Sequence, residues 1–206
     1  MQLKNWAQLL LVCLVLNACT SKPVRKPGDG NEEAYEDRMA KIGTVDEWRL
    51  LGRISLDDGD QGGSGKLQWE VAADRSTIDF HGAMGRGAWH LEISPESAVL
   101  REANGNEYSA PGVDNLIQQQ MGWPVPVDAL KWWVRGLAAP GSIEHRLLDD
   151  QGLLLGLGQF GWQIDFNRYK SDTGVAMPTR LDARRENYRV KLAVSRWHIG
   201  PVLVSD

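Results

Sequence analysis

The chain has 206 residues, of which 42% are hydrophobic, and its formal net charge at pH 7 is −4. This length suits one ordinary domain with a sizeable core once an N-terminal segment has been removed. From this length we expect one folded domain. The net charge is mildly negative, whereas nucleic-acid-binding proteins usually carry a basic surface, so we expect no nucleic-acid partner.

The first eighteen residues have the pattern of a bacterial lipoprotein signal peptide. Lys4 supplies a positive charge, and residues 9–16 form an apolar run that is too short to cross a bilayer core of about 30 Å. The run ends in Leu16-Asn17-Ala18-Cys19, which matches a lipobox. We predict cleavage before Cys19 and acylation of its thiol and its new amino group. The alternative is an ordinary secretory signal that happens to contain a cysteine.

Cys19 is the one cysteine left after this cleavage, because the chain has two and Cys13 lies in the signal. A lone thiol in an oxidising compartment has no disulfide partner, and lipidation explains its presence. Thr20 follows it, whereas Asp at this position in Gram-negative lipoproteins usually signals retention in the inner membrane. We therefore expect a lipid anchor in the outer membrane, on its periplasmic side.

The predicted signal peptide covers residues 1–18, and a lipidated N-terminus with a flexible tether covers 19–30. The tether is rich in Pro, Gly and charged residues, a composition typical of linkers. Residues 31–206 are assigned to a single domain. No second apolar run is long enough to span a bilayer, so we expect a tethered soluble domain.

A short helix is the first predicted element of this domain. Asn31 can cap its N-terminus, and Gly43 ends it. Tyr35, Met39 and Ile42 follow one another at i, i+4 and i+7 and form a narrow apolar stripe. The helix should therefore lie against something larger.

The apolar residues then alternate with a period of two, which is typical of half-buried strands. Leu67, Trp69 and Val71 show this alternation most cleanly. Tight turns join the first six strand-like runs, which predicts an antiparallel meander, and five more follow later. The predicted strands cover residues 48–56, 66–71, 78–80, 89–93, 98–100, 107–109, 145–149, 153–157, 162–166, 180–183 and 188–194.

Two amphipathic helices are predicted between the two sets of strands, with Gly122 ending the first and Asp128 capping the second. So many antiparallel strands in one domain should curl strongly or close, and the helices can cover the mouth of the curled sheet. We predict an α+β fold with about eleven strands and about three helices around an apolar cavity. The two stripes are Val113, Leu116, Ile117 and Met121, and Leu130, Trp133, Val134 and Leu137.

A glycine-rich turn between two predicted strands places an apolar side chain where solvent is expected. Its sequence is Gly82-Ala83-Met84-Gly85-Arg86-Gly87, whereas hairpin tips usually carry Asn, Asp or Gly. The glycines leave Met84 no obvious core to enter, so we interpret it as a membrane contact. The alternative is a methionine folded back over its own sheet.

Motifs for catalysis, metals and cofactors receive little support from the sequence. Residues 156–161 satisfy G-x-G-x-x-G, but an alternating strand follows where the dinucleotide fingerprint requires a helix. Residues 62–66 resemble part of a phosphate loop, but Leu67 occupies the required Ser/Thr position. The four histidines show no metal-ligand spacing, and no G-x-S-x-G elbow occurs. We expect no metal, no cofactor and no enzymatic activity.

Several segments together resemble the outer-membrane lipoprotein receptor family LolB. The resemblance covers nearly the whole mature chain, and the block that begins at Gly122 is its most distinctive part. The matching segments are Trp48-x-x-x-Gly52-Arg53, Gly65-Lys66-Leu67-Gln68-Trp69, Gly122-Trp123-Pro124-Val125-Pro126-Val127-x-x-Leu130-x-x-Trp133-Val134-x-Gly136, Gln159-Phe160-Gly161-Trp162-Gln163-Ile164-x-Phe166-x-x-Tyr169, Met177-Pro178-x-Arg180-Leu181 and Trp197.

The resemblance implies an incomplete antiparallel barrel, capped by helices, whose apolar cavity holds the acyl chains of lipoproteins. It implies a LolA-like periplasmic carrier as donor, acylated lipoproteins as substrates, outer-membrane lipid as acceptor and a monomeric receptor. In the family an exposed leucine in a Pro-Leu-Gly loop serves membrane insertion. The corresponding string here is Ala83-Met84-Gly85, and methionine keeps the apolar character of leucine.

The curled sheet itself is our candidate for the cavity wall, although each of its apolar residues can equally be a core residue. An ordinary filled core would instead suit a structural or lipid-sensing outer-membrane lipoprotein with no transfer activity. The predicted wall residues are Leu67, Trp69, Phe80, Trp89, Leu91, Trp162, Ile164 and Leu192.

Overall fold

The computed structural model describes residues 30–82 and 87–200. Within these ranges the chain forms three helices and eleven strands. The helices are α1 (Glu32–Gly43), α2 (Val113–Met121) and α3 (Val127–Trp133). The strands are β1 (Glu47–Asp57), β2 (Gly62–Ala72), β3 (Arg75–Gly82), β4 (Ala88–Ile93), β5 (Ala98–Glu102), β6 (Glu107–Ala110), β7 (His145–Leu148), β8 (Leu154–Gln159), β9 (Trp162–Lys170), β10 (Met177–Arg185) and β11 (Tyr188–Ile199).

All eleven strands belong to one antiparallel sheet with the order β6-β5-β4-β3-β2-β1-β11-β10-β9-β8-β7. The last strand, β11, pairs with β1 and so joins the two meanders. The terminal strands β6 and β7 each have one neighbour within the described residues, so the sheet is open. The predicted incomplete barrel is confirmed, and the chain between its two edges contains α2 and α3.

Strict alternation explains why the strands form one apolar and one polar face. In β2, Leu67, Trp69 and Val71 are buried, while Lys66 is exposed. Gly52 marks an irregularity in the pairing of β1 with β11. A Cβ atom at Gly52 would lie 2.5 Å from the carbonyl oxygen of Ala193, so the close approach of these two strands requires glycine.

Helix α1 begins as the sequence predicts, since the side chain of Asn31 accepts a hydrogen bond from the backbone N–H of Ala34. Its apolar stripe packs inward: Tyr35 and Ile42 are buried. The hydroxyl of Tyr35 accepts a hydrogen bond from the backbone N–H of Ala138 at 2.9 Å. This contact fixes α1 against the segment that follows α3.

A buried arginine joins the ends of α1 and α3. The guanidinium of Arg135 donates to the carbonyl oxygens of Ile42 and Val45 at 3.0 and 3.1 Å. It also lies 4.7 Å from the ring centroid of Trp132, in a cation–π contact. Burial lowers the pKa of Arg135 to about 10, so the group stays charged at neutral pH. Three backbone and ring contacts thus compensate for its loss of water.

Gln159 connects the same region to the sheet. Its side-chain oxygen accepts from Trp133 Nε1 at 2.9 Å and from the backbone N–H of Ala139 at 3.0 Å. Its side-chain nitrogen donates to the carbonyl oxygen of Ala139 at 2.7 Å. Gln159 is completely buried, so the C-terminal end of α3 is held firmly to β8.

The first prediction concerns this buried amide. Gln159→Leu leaves Trp133 Nε1 and both backbone groups of Ala139 without partners, and each unpaired buried group costs about 1–3 kcal/mol. We expect the free energy of unfolding, measured by chemical denaturation, to fall by roughly 3 kcal/mol or more. The exposed Gln163 of β9 is the control, because Gln163→Leu should change the free energy of unfolding by less than about 0.5 kcal/mol. Equal effects of the two substitutions would contradict the assigned role.

Candidate functional site

An apolar cavity lies between the concave face of the sheet and the helices that cover it. We call the covering segment, residues 113–134, the lid; it consists of α2, a connector and α3. The cavity has a volume of about 60 Å³. Its sheet wall is Ile54, Leu56, Leu67, Trp69, Ile78, Trp89, Leu91, Val190 and Leu192, and its lid wall is Ile117, Met121, Trp123, Val125, Val127, Leu130 and Val134.

Every residue that lines this cavity is apolar. The polar atom of Trp69 is satisfied outside the cavity wall, because its Nε1 donates to Ser76 Oγ at 2.7 Å. A ligand in this cavity would therefore meet hydrocarbon and aromatic surface rather than charged or hydrogen-bonding side chains. Such a wall suits an aliphatic chain and disfavours a polar metabolite, whose groups would lose their hydrogen bonds to water.

The cavity reaches solvent on one side. Leu56, Trp89, Met121 and Trp123 are only half-buried, unlike most of the lining residues. Trp89 lies close to the start of β4, shortly after residues 83–86. The open side of the cavity is therefore near the position where the chain enters and leaves the glycine-rich turn.

The side chain of Asp114 joins the two lid helices by hydrogen bonds to the start of α3. Asp114, in the first turn of α2, accepts from the backbone N–H of Val127 at 2.7 Å, where α3 begins. Asp128 was predicted to cap α3, but the helix starts one residue earlier, at Val127, with Pro126 in the cap position. The side chain of Asp114 supplies the acceptor instead. Burial raises the pKa of Asp114, although the bond from Val127 opposes this shift.

Other motif-like strings have structural roles in the described part of the chain. Residues 156–161 run along β8 into the turn before β9, so they open no helix. Residues 30–82 and 87–200 contain no cluster of three or more His, Cys, Asp or Glu side chains placed to hold a metal. In the same ranges, no helix has the length and hydropathy needed to cross a membrane.

The pattern of an open barrel, an apolar cavity and a helical lid agrees with comparisons to known proteins. A family model described as Outer membrane lipoprotein LolB matches residues 46–197, a range that runs from just before β1 into β11. The chain belongs to the LolB family. The predicted outer-membrane location is confirmed by this membership.

Relatives named Outer-membrane lipoprotein LolB align over most of the chain. The relative from Stutzerimonas stutzeri strain A1501 is 31% identical over 196 residues, which is 95% of each protein. The relative from Pseudomonas putida strain KT2440 is 35% identical over 170 residues, covering 82% of this chain and 83% of the relative. A solved LolA superfamily protein from Nitrosomonas europaea has a TM-score of 0.49 at 10% identity, covering 83% of this chain and 94% of that one.

Five of the eight residues predicted for the cavity wall of this LolB-family protein line the cavity: Leu67, Trp69, Trp89, Leu91 and Leu192. Phe80, Trp162 and Ile164 do not. Phe80 stacks on the lining residue Trp89 with 5.2 Å between ring centroids. Trp162 and Ile164 belong to β9 in the other half of the sheet, where Trp162 packs against Trp133 at 6.5 Å.

The lid wall was absent from the predicted set, although its signal is present in the sequence. Ile117 and Met121 belong to the predicted stripe of α2, and Leu130 and Val134 to that of α3. Trp123 and Val125 come from the connector between them. An amphipathic stripe predicts that a residue is buried and leaves open whether it packs into a core or faces a cavity.

The remaining predicted sites lie outside the described residues. These are Cys19, the predicted lipidation site, and Ala83, Met84 and Gly85 of the predicted membrane loop. Their roles stay predictions.

The second prediction tests the bond between the lid helices. Asp114→Ala removes the acceptor of the Val127 N–H, while Asp114→Asn keeps an acceptor oxygen at the same position. We expect amide exchange at Val127 and in α2 to become roughly fivefold faster in the Ala variant, equivalent to about 1 kcal/mol for one hydrogen bond. Exchange in β1 and β11 should stay unchanged. Unaltered protection of α2 in the Ala variant would show that this bond does not hold the lid.

Proposed function

We propose that this protein is the outer-membrane receptor that accepts lipoproteins from a LolA-like periplasmic carrier. It holds their acyl chains in the cavity and then delivers them to the outer membrane. The observation that carries the proposal is the wholly apolar cavity between the sheet and the lid. Membership of the LolB family supports the same assignment, since this is a family of lipoprotein transport and not of enzymes.

The energetics of acyl chains explain why such a cavity is needed. Each methylene that leaves an apolar environment for water costs about 0.8 kcal/mol, so a lipid anchor with dozens of methylenes costs tens of kcal/mol to expose. A receptor must therefore offer apolar surface before the carrier releases the chains. Because the G-x-G-x-x-G string at residues 156–161 opens no helix and the phosphate-loop pattern at residues 62–66 is incomplete, we propose that transfer uses no nucleotide and runs downhill, from a weaker to a stronger apolar host.

The cavity in this structure is too small to enclose an acyl chain, so we propose that it widens when one binds. About 60 Å³ is less than half of the roughly 150 Å³ that holds one benzene molecule in an engineered core. We propose that the lid swings away from the sheet and exposes the apolar wall already present. The half-buried residues Met121 and Trp123 mark the side on which an entering chain first meets this wall.

We further propose that Met84 contacts the membrane during delivery. Burying one methionine side chain contributes about 1.5–3 kcal/mol. This energy is too small to anchor the protein, but it is enough to bias the orientation of a domain already tethered through Cys19. The open side of the cavity lies near the start of β4, so a contact through residues 83–85 would bring the cavity towards the lipid.

The third prediction tests the cavity with a hydrophobic fluorescent probe. The chain carrying Cys19→Ala should take up the probe, and acylated lipoprotein should displace it. Leu192→Trp places a larger side chain in the sheet wall, and overpacking of this kind costs about 1–3 kcal/mol. We expect it to weaken probe binding roughly tenfold or more.

The control for this experiment is Leu51→Trp. Leu51 pairs with Arg196 of β11 and follows the completely buried Leu50, so its side chain points to the outer face of the sheet. This variant should bind the probe as the parent does. Failure of the parent chain to take up any probe would favour a structural or lipid-sensing lipoprotein with a permanently filled core.

The fourth prediction separates loading from delivery. Met84→Glu introduces a charge at the predicted membrane contact, whereas Met84→Leu keeps an apolar side chain of similar size. The Glu variant should accept lipoprotein from the carrier normally but incorporate it into vesicles roughly tenfold more slowly. The Leu variant should match the parent in both steps. Incorporation by the Glu variant at the parental rate would eliminate the proposed role of Met84.

A further inference from the structure

The outer face of the sheet carries a row of exposed cations. Strand register places Lys66 of β2, Arg53 of β1, Arg180 of β10 and Arg168 of β9 on one line, with the small Ala193 of β11 at its centre. We call these four charged residues the basic row. All four are exposed, and five adjacent strands at about 4.8 Å spacing make the row roughly 19 Å long.

Repulsion within the basic row is not compensated by the protein. Arg53 lies directly opposite Lys66, and Arg180 is the partner of Arg168 at an irregularity in the pairing of β10 with β9. Like charges at such cross-strand positions destabilise a sheet. Among the ion pairs of residues 30–82 and 87–200, none includes a member of the row. The fold therefore places four positive charges on neighbouring strands without an ion-pair partner among the described residues.

A neighbouring pair of arginines shows how the same sheet deals with repulsion elsewhere. Arg184 and Arg189 also lie opposite each other, on β10 and β11. Arg184 forms an ion pair with Asp165, and Arg189 holds both carboxylate oxygens of Asp182 at 2.9 and 3.0 Å. Each of these cations has its own carboxylate. The basic row is different, which indicates an anion from outside the chain.

The basic row borders a recess with room for such an anion. Arg53, Arg180 and Lys191 line an open recess of about 650 Å³ on the outer face, and Ala193 contributes to its floor. Asp182 also lines it, but Arg189 already occupies both of its oxygens. The recess therefore presents three cations that are available to a phosphate group.

We propose that the basic row binds the phosphate groups of anionic phospholipids in the membrane that carries the lipid anchor. The whole chain has a net charge of −4, so an anionic surface would repel it unless a particular basic face approached. The eleven residues 19–29 span at most about 40 Å when extended, which keeps the domain close to this surface. Lys22, Arg25 and Lys26 in that segment have the same sign as the row.

The position of the row fits contact through residues 83–85 at the same time. Lys66 is paired with His81 of β3, and Gly65 with Gly82, the last residue before 83–86. One end of the row therefore lies beside the root of the predicted membrane loop. This inference rests on the proposed function insofar as both place the domain at the membrane; it assigns the headgroup contact to residues outside the cavity.

The test compares vesicle binding by charge-matched variants of the chain from residue 20 onward, without lipid. Arg53→Gln with Arg180→Gln removes two positive charges from the row. Lys41→Gln with Arg75→Gln removes two from exposed positions on α1 and at the start of β3. The vesicles contain phosphatidylethanolamine alone or phosphatidylethanolamine with phosphatidylglycerol.

We expect the parent chain to bind the mixed vesicles and to bind phosphatidylethanolamine vesicles much more weakly. The row variant should bind the mixed vesicles roughly 10–30-fold more weakly, since each cation at an anionic surface contributes about fivefold, and the control variant should stay within about twofold. Added salt should reduce the difference. Uptake of the hydrophobic probe should be the same in all three chains.

Several outcomes would overturn the inference. Equal losses in the row variant and the control variant would show that only net charge matters. Equal binding of the parent chain to vesicles with and without phosphatidylglycerol would exclude anionic headgroups as the ligand. Normal vesicle binding by the row variant, together with weakened binding of the periplasmic carrier, would assign the row to an acidic protein partner. By contrast, absence of probe uptake by the parent chain would contradict the proposed function alone, and selective weakening of vesicle binding in the row variant would still support the headgroup contact.

Discussion

The structure depends on the need to bury the concave face of an open sheet. Eleven strands collect most of their large apolar residues on one side of the sheet, and the sheet stays open between its edge strands β6 and β7. The chain solves the problem between those two edges, where residues 113–134 form the lid. The cover is not a perfect fit, since it leaves a wholly apolar cavity of about 60 Å³. The proposed binding function rests on that mismatch.

The lid is attached much more firmly at one end than at the other. The C-terminal end of α3 is fixed by Arg135, Gln159 and the hydroxyl of Tyr35, all of which are buried. The start of α3 is linked to α2 by the Asp114 bond, and Met121 at the end of α2 is half-buried. Because local opening follows the weakest set of buried contacts, α2 and the connector should open first. The half-buried cavity residues lie on that same side.

Alternation in the sequence was sufficient to predict all eleven strands and the two faces of the sheet. It assigned Leu67, Trp69 and Leu192 to the inner face, and they line the cavity. It also assigned Trp162 and Ile164 there, but they face a different part of the core. The reason is topological: β11 pairs with both β1 and β10, so β9 lies far from the first meander. A period of two reports the face of a residue and contains no information on strand order.

Contacts between distant elements were beyond sequence reasoning for the same reason. The bond from Val127 to Asp114 replaces the helix cap that local sequence had assigned to Asp128. An aspartate in the first turn of a helix ordinarily serves its own helix dipole, and nothing local marks Asp114 as a partner of α3. The basic row is a similar case. Lys66, Arg53, Arg180 and Arg168 are scattered along the chain, and only the register brings them together.

The same strands therefore contribute to two surfaces, the apolar cavity on the inner face of the sheet and the basic row on the outer face. On β1, Ile54 lines the cavity and Arg53 belongs to the outer row; on β2, the corresponding residues are Leu67 and Lys66. Adjacent residues point to opposite faces, so β1 and β2 each contribute a cavity-lining side chain and an outward-facing cation one residue apart. A slip of one residue in register would exchange the two faces and destroy both surfaces. Gly52 precedes Arg53 and lies at the irregularity between β1 and β11, where its lack of a side chain permits the close approach to Ala193. The strand geometry that forms the apolar cavity on the inside is thus the same geometry that aligns the cations on the outside.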